Sequence, residues 1–269
     1  MIMDYLYAII FGVFQGVTEF LPISSSGHLV LLHELLPFNV GNEMAFDVVL
    51  HLASLLAVLY FFRRDVWSLF GAWVKSLFGR HSREGRTAWF ILLATLPAAL
   101  AGVMWGEFIE NHLRNYAVVA VMLVVVGILF FVLERAGRKI ASYESLGWKG
   151  ALFIGLAQAV ALIPGTSRSG ITIIAGLGAG LKRQDALKFS FLLSIPIILG
   201  AVLVQIPDMS GFFKVGNYGL LSASFLAAFI SAFLAIKYFL RFARNHSLDI
   251  FGFYRIILAL AVVLYFLNT

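Results

Sequence analysis

The stretch Pro22–His28 reads PISSSGH, and apolar sequence suited to a membrane flanks it on both sides. A second polar cluster, PGTSRSG, occupies residues 164–170. Hydroxyl, imidazole and guanidinium groups are costly in lipid, so their presence there indicates a functional role. Backbone that leaves the helix at membrane depth is tolerated only where it packs in protein or lines a wet cavity. The two clusters therefore predict one shared site.

The composition indicates an integral membrane protein. Of 269 residues, 61% are hydrophobic and 13% are charged, whereas soluble domains carry about 25% charged residues. Two apolar stretches, about 5–37 and 148–181, are interrupted by the polar clusters, which predicts re-entrant helical hairpins with the clusters at their tips. Six uninterrupted stretches approach the roughly 20 residues that cross a bilayer as a helix: 46–62, 88–106, 116–134, 188–206, 217–239 and 253–268. We predict an all-α polytopic membrane protein with six transmembrane helices, two re-entrant hairpins and a single membrane domain over residues 1–269.

The basic residues predict the orientation of the chain. Placing the loop at 63–87 in the cytoplasm puts 17 of the 20 Lys and Arg residues on the inner side, Arg255 among them. Both termini and the opening of the first hairpin then face the outer side. Because Lys and Arg act here as a topology signal, the basic composition gives no reason to expect a nucleic-acid partner.

The chain also repeats itself. Matches at an offset of 143 positions are Gln15 with Gln158, Phe46 with Phe189, and residues 26–27 with 169–170. The repeats would cover about 1–140 and 141–269, each with one hairpin and three spans. Because three is odd, the repeats must lie in opposite senses, and inverted repeats of this kind bring hairpin tips together near the midplane.

The combined chemistry of the clusters suits a phosphate or diphosphate. Gly27 lets backbone N–H groups approach an oxyanion, and Arg168 supplies a planar fork for phosphate. The hydroxyl groups come from Ser24, Ser25, Ser26, Thr166, Ser167 and Ser169.

Acid–base chemistry is predicted at the first cluster. Gln15 and Glu19 are four residues apart and share a helix face that leads into the cluster. Glu19 is a candidate to orient or deprotonate His28, to hold a divalent cation, or to do both. His28 is in turn either the general base for a serine nucleophile or the nucleophile itself. Asp47 and His51 are also four apart, and for them we favour packing over a metal or supporting role.

The segments QGVTEFLP (15–22), SSSGH (24–28) and PGTSRSG (164–170) resemble the motifs of the undecaprenyl-diphosphate phosphatase family, the bacitracin-resistance (BacA-type) proteins. The resemblance implies a multi-pass enzyme of the bacterial inner membrane that hydrolyses undecaprenyl diphosphate to the monophosphate, recycling the lipid carrier for cell-wall synthesis. It implies a catalytic role for Glu19, Ser25, His28 and Arg168, and substrate contacts for Gln15, Ser24, Ser26, Gly27, Thr166, Ser167, Ser169 and Thr172.

The resemblance also implies a divalent cation, Mg²⁺ or Ca²⁺, with Glu19 as its one candidate ligand. The family usually has Glu where this chain has Gln15, which is a departure from the motif. A homodimer is compatible with the sequence. A different class of function is a transporter or flippase that moves a polyprenyl phosphate without hydrolysis, because inverted repeats with broken helices are typical of alternating access.

Overall fold

The structure is a computed structural model that describes residues 2–38, 42–136, 140–205 and 217–267. Within these ranges the chain is helical and contains no β-strand. The α-helices are α1 (Ile2–Phe20), α2 (Ser25–Leu35), α3 (Glu43–Phe61), α4 (Arg63–Leu77), α5 (Arg83–Leu113), α6 (Tyr116–Arg135), α7 (Trp148–Val160), α8 (Arg168–Gly178), α9 (Arg183–Gln205), α10 (Tyr218–Asn245) and α11 (Asp249–Leu267).

Six of these helices are long and apolar enough to cross a membrane, namely α3, α5, α6, α9, α10 and α11. They coincide with the six predicted spans, so the prediction of a multi-pass helical membrane protein is confirmed. Side chains of polar residues mark where spans begin: Asn42 accepts from the amide of Ala45 at α3, and Asn115 accepts from that of Val118 at α6, both at 3.0 Å.

The two interrupted stretches form the helix pairs α1–α2 and α7–α8. Three of these four helices are short, but α1 has 19 residues and is as long as α3. The loop predicted at 63–87 also contains a helix, α4, whose apolar side chains Trp67 and Phe70 are exposed.

Helices from the first half of the chain pack against helices from the second half. Helix α1 packs along α10, and α7 packs along α5, while α3 contacts α9 and α6 contacts α11. Glycine allows these close approaches: a Cβ added at Gly12 would overlap the carbonyl oxygen of Ser224, and one at Gly155 would lie 2.7 Å from that of Ala94. Each helix pair is thus held by a span from the other half, which brings the two polar clusters together.

Candidate active site

The two polar clusters share an unusual backbone conformation. Ser24 has φ 75° and Ser167 has φ 68°, and no other non-glycine residue in the described ranges has a positive φ. These serines are 143 positions apart, and each immediately precedes a short helix, α2 or α8. A left-handed serine costs about 1–2 kcal/mol, and strain of this kind concentrates at functional sites. Both turns therefore place a helix N-terminus within a polar cluster, and at α8 the Ser167 hydroxyl accepts a hydrogen bond from the Gly170 amide at 3.2 Å.

The side chain of Arg255 in α11 hydrogen-bonds to both clusters. Its side chain is completely buried, and it donates to the carbonyl oxygens of Pro22 at 3.1 Å, Gly165 at 2.7 Å and Thr166 at 2.8 Å. The hydroxyl of Ser169 adds a bond to the carbonyl oxygen of Leu21 at 3.2 Å. A buried guanidinium is tolerated here because carbonyl dipoles from both clusters surround it.

The position of Arg255 corrects the topology analysis. Arg255 was assigned to the inner side with the loop residues, but it lies inside the protein between the two clusters. It is also a residue of the site that the sequence analysis missed. An Arg within an apolar span was the available signal, because ionisable residues inside spans face the protein interior.

Glu19, Ser25 and Arg168 meet at the contact between the clusters. Glu19 is 7% exposed; one of its carboxylate oxygens, Oε1, accepts a hydrogen bond from Arg168 Nη2 at 2.6 Å. The other, Oε2, accepts from the Ser25 hydroxyl at 2.8 Å. The arrangement places a hydroxyl, a carboxylate and a guanidinium within one hydrogen-bonded group, and these are the kinds of group that nucleophilic catalysis at phosphorus uses.

Gln15 and His51 extend this group. The fully buried Gln15 donates from Nε2 to Glu19 Oε2 at 3.1 Å, and the same amide nitrogen lies 2.9 Å from His51 Nδ1. His51 Nδ1 is itself 3.5 Å from Glu19 Oε2. His51, for which we favoured packing, thus lies within this hydrogen-bonded group, and its role stays a prediction. Asp47 instead contacts His33 at 3.2 Å.

His28 does not join Glu19 or Ser25. Its Nδ1 lies 2.7 Å from the carbonyl oxygen of Ser24, and its Nε2 lies 2.6 Å from the hydroxyl of Tyr254. Because a carbonyl only accepts, Nδ1 carries the proton and Nε2 accepts from Tyr254. The predicted pairing of Glu19 with His28, and of His28 with a serine nucleophile, is therefore not found in this structure. Glu19 instead contacts Arg168 at the start of α8.

The other predicted substrate contacts surround this centre. Ser24 and Ser26 approach each other through their hydroxyls at 3.4 Å, and Ser167 and Ser169 do so at 3.2 Å. A Cβ at Gly27 would lie 3.4 Å from the hydroxyl of Ser24, at ordinary contact distance.

Two threonines differ in their role. The Thr166 hydroxyl is buried and has no hydrogen-bond partner among the described residues, so it is available to a ligand. The Thr172 hydroxyl is occupied by Ser190 Oγ at 2.6 Å and by the carbonyl oxygen of Arg168 at 2.8 Å. Thr172 therefore supports the start of α8 and does not face the centre.

The donor set around Glu19 is suited to a divalent cation. In the described ranges, no three His, Cys, Asp or Glu side chains gather as a closed set of metal ligands. The amide oxygen of Gln15 is nevertheless buried without a hydrogen-bond partner beside the Glu19 carboxylate. Such an oxygen-rich corner fits a cation that takes its remaining ligands from phosphate and water. Gln15 and Glu19 are the residues that would hold it.

Comparison with known families agrees with the motifs. The family model described as "bacitracin resistance protein BacA" matches residues 8–261 of the 269 in the chain. The match includes α1 from residue 8 onward, α2, the second helix pair, both polar clusters and Arg255. The chain therefore belongs to the BacA family of bacitracin resistance proteins, the undecaprenyl-diphosphate phosphatase family, as the motifs predicted.

Proposed function

We propose that this protein hydrolyses undecaprenyl diphosphate to undecaprenyl phosphate and phosphate, recycling the lipid carrier of cell-wall synthesis and thereby conferring bacitracin resistance. Family membership supports this role at the level of the family. The observation that carries it for this chain is the 2.8 Å hydrogen bond from the Ser25 hydroxyl to Glu19, with Arg168 on the other carboxylate oxygen.

Ser25 is the nucleophile and Glu19 is its general base in this proposal. The Ser25 oxygen attacks the terminal phosphorus while its proton passes to Glu19 Oε2, to which it already donates. The bond from that phosphorus to the bridging oxygen breaks, and the polyprenyl monophosphate leaves with the electron pair. The leaving monophosphate takes up the proton from Glu19. Water then attacks the phosphoserine and gives a proton to Glu19, the bond from phosphorus to the Ser25 oxygen breaks, and Ser25 regains a proton from Glu19 as phosphate is released. His28, with Nε2 facing Tyr254, is the alternative nucleophile.

Arg168 binds the diphosphate. Its guanidinium donates hydrogen bonds to Glu19 at 2.6 Å and to the carbonyl oxygen of Ser190 at 3.4 Å. The bond to the Glu19 carboxylate can be replaced by one to a phosphate that binds beside it. The hydroxyl of Thr166, the hydroxyl pairs of the two clusters and the helix N-termini add uncharged donors. These donors stabilise the charge that develops on the phosphoryl oxygens.

A divalent cation, Mg²⁺ or Ca²⁺ by resemblance to the family, would be held by Glu19 and Gln15. When bound, it neutralises part of the diphosphate charge and orients the terminal phosphoryl group.

The membrane arrangement is part of the proposal. We place the chain in the bacterial inner membrane, with both termini and the active site open to the periplasm, because most basic residues then face the cytoplasm. The matching turns at Ser24 and Ser167, together with the crossed packing of α1 on α10 and α7 on α5, support two inverted repeats with re-entrant hairpins.

The decisive experiment measures phosphate release from a polyprenyl diphosphate by purified protein, with and without chelator. Ser25→Ala should abolish turnover and spare substrate binding, because Arg168 is untouched. Ser222→Ala, which changes an exposed serine of α10, is the matched control and should retain full turnover. A trapped phosphoenzyme that survives acid supports Ser25, whereas an acid-labile one supports His28. Normal turnover in Ser25→Ala would contradict the nucleophile assignment.

A flippase is the second candidate function. It is favoured by the meeting of two broken helix pairs from opposite halves of the chain, which is the arrangement used for alternating access. Reconstituted protein that moves a fluorescent polyprenyl phosphate between leaflets, and releases no phosphate from the diphosphate, would establish this function in place of hydrolysis.

A further inference from the structure

Three atoms from three side chains form a small triangle beside the proposed nucleophile. The amide nitrogen of Gln15 is 3.1 Å from Glu19 Oε2 and 2.9 Å from His51 Nδ1, and the third edge, from Nδ1 to Oε2, is 3.5 Å. Gln15 and Glu19 are buried, and the His51 side chain is 34% exposed. His51 is therefore the member of the triangle that the protein encloses least.

The edges of this triangle match one face of an octahedral cation site. Octahedral ligands at about 2.1–2.2 Å from a cation lie about 3.0 Å from each other along each edge. The observed edges of 2.9, 3.1 and 3.5 Å bracket that value. No backbone movement is needed to bring the three groups around one ion.

The Gln15 amide can supply the required oxygen by turning over. Its two ends have nearly the same shape, so a half-turn about the terminal bond places Oε1 where Nε2 now lies. That oxygen is buried and accepts no hydrogen bond in the described residues, whereas Nε2 bonds two acceptors. Without a cation the N–H groups satisfy Glu19 and His51; with a cation the oxygen becomes a ligand.

The choice of side chains determines which cation fits best. Ca²⁺ takes six to eight oxygen ligands at about 2.3–2.6 Å, and imidazole is instead typical of transition-metal sites. Here one of the three atoms is an imidazole nitrogen, and the only carboxylate is Glu19. The set is poor in charge for Ca²⁺ but suited to a first-row divalent metal.

We propose that Gln15, Glu19 and His51 form the protein's face of an octahedral site that prefers a first-row divalent transition metal over Ca²⁺, and Mn²⁺ is its spectroscopic probe. The opposite face of the ion is left for phosphate oxygens and water. This inference rests on the proposed function only in that the ion would share the charge of a diphosphate. It differs from the Mg²⁺ or Ca²⁺ implied by resemblance, because His51 adds nitrogen where an all-oxygen site would have none.

The test is electron spin-echo envelope modulation of Mn²⁺ bound to the purified protein in detergent. Wild-type protein should show ¹⁴N coupling from one imidazole, and the coupling should change when histidine is labelled with ¹⁵N. His51→Gln should remove it and weaken Mn²⁺ binding at least about tenfold, with little change in Ca²⁺ binding. His33→Gln is the matched control, since His33 also pairs with a carboxylate, Asp47 at 3.2 Å, and should leave the coupling unchanged.

A second variant, Gln15→Glu, tests the proposal without relying on correct folding of His51→Gln. Gln15→Glu should retain the nitrogen coupling and tighten Ca²⁺ binding, because a second carboxylate replaces an amide. Absence of nitrogen coupling in the wild type, or its persistence in folded His51→Gln, overturns the proposal. Phosphate release without nitrogen coupling would refute this site but not the hydrolase, and nitrogen coupling without phosphate release would refute the hydrolase alone.

Discussion

The two helix pairs, α1–α2 and α7–α8, share a backbone plan but differ in chemistry. Ser24 and Ser167 occupy equivalent positions with nearly the same φ, 75° and 68°. At other positions 143 residues apart, the first pair has Glu19 and His28 where the second has Leu162 and Ile171. One pair thus carries the proton-accepting groups, and the other contributes Arg168. In the proposed mechanism, this difference corresponds to a first half that reacts and a second half that binds the diphosphate.

After Ser25→Ala, the largest effect is expected at Glu19, the carboxylate that has no counterpart in the second half. Glu19→Gln removes the acceptor for the Ser25 proton and the partner of Arg168, so turnover should fall about 10³-fold. Phosphate-release assays of purified protein measure this. Glu84→Gln, at the exposed start of α5, is the control and should leave turnover unchanged. If Glu19→Gln retained full turnover, the first pair would not be the reacting half.

The binding role of the second half is tested at Arg168. Arg168→Lys keeps the charge but loses the two-pronged contact with phosphate, so turnover should fall about 10²-fold. Arg135→Lys changes another Arg that pairs with a carboxylate, Asp249 at 3.2 Å, but on the exposed surface, and should have little effect. Near-normal turnover in Arg168→Lys would remove the reason to assign phosphate binding to α8.

The connection between the halves is tested at Arg255. Arg255→Met removes the donors to the carbonyl oxygens of Pro22, Gly165 and Thr166. Leaving buried carbonyls unpaired should lower the free energy of unfolding by about 2–3 kcal/mol, with a smaller loss of turnover than in Arg168→Lys. Thermal unfolding in detergent measures the stability. An unchanged melting temperature would show that other contacts hold the two clusters together.

Much of this comparison was predictable from sequence. Apolar length and composition identified the six spans, and the 143-residue offset identified Ser24 and Ser167 as equivalents. The direction of each side chain was not predictable, since it depends on how α1 rotates against α10 and α3. That rotation takes Glu19 away from His28 and toward Arg168 and His51. Arg255 was misplaced because a count of basic residues does not distinguish a loop from a buried span.

Gln15 and Gln158 occupy equivalent positions in the two repeats, and replacing either one should have a smaller effect. Gln15 bonds the Glu19 carboxylate at 3.1 Å, whereas Gln158 donates to the carbonyl oxygen of Ala94, also at 3.1 Å. A hydrogen bond to a charged group is worth about 1.5–3 kcal/mol, so Gln15→Ala should lower turnover about tenfold or more. Gln158→Ala should instead lower stability slightly, by about 0.6 kcal/mol, and leave turnover intact. Equal losses of turnover in the two variants would contradict the division between a reacting and a binding half.

The smallest effect is expected at Tyr254, which reaches the first helix pair from α11. Its hydroxyl lies 2.6 Å from His28 Nε2, and the two rings stack with centroids 5.8 Å apart. Tyr254→Phe removes one neutral hydrogen bond, worth about 0.5–1.5 kcal/mol, so kcat should fall about three- to tenfold with KM unchanged. Because Tyr254 acts through His28, the same substitution in a His28→Ala background should have no further effect. Additive losses in the double variant would mean that Tyr254 contacts the substrate directly, and the reacting half would then include α11 as well as α1 and α2.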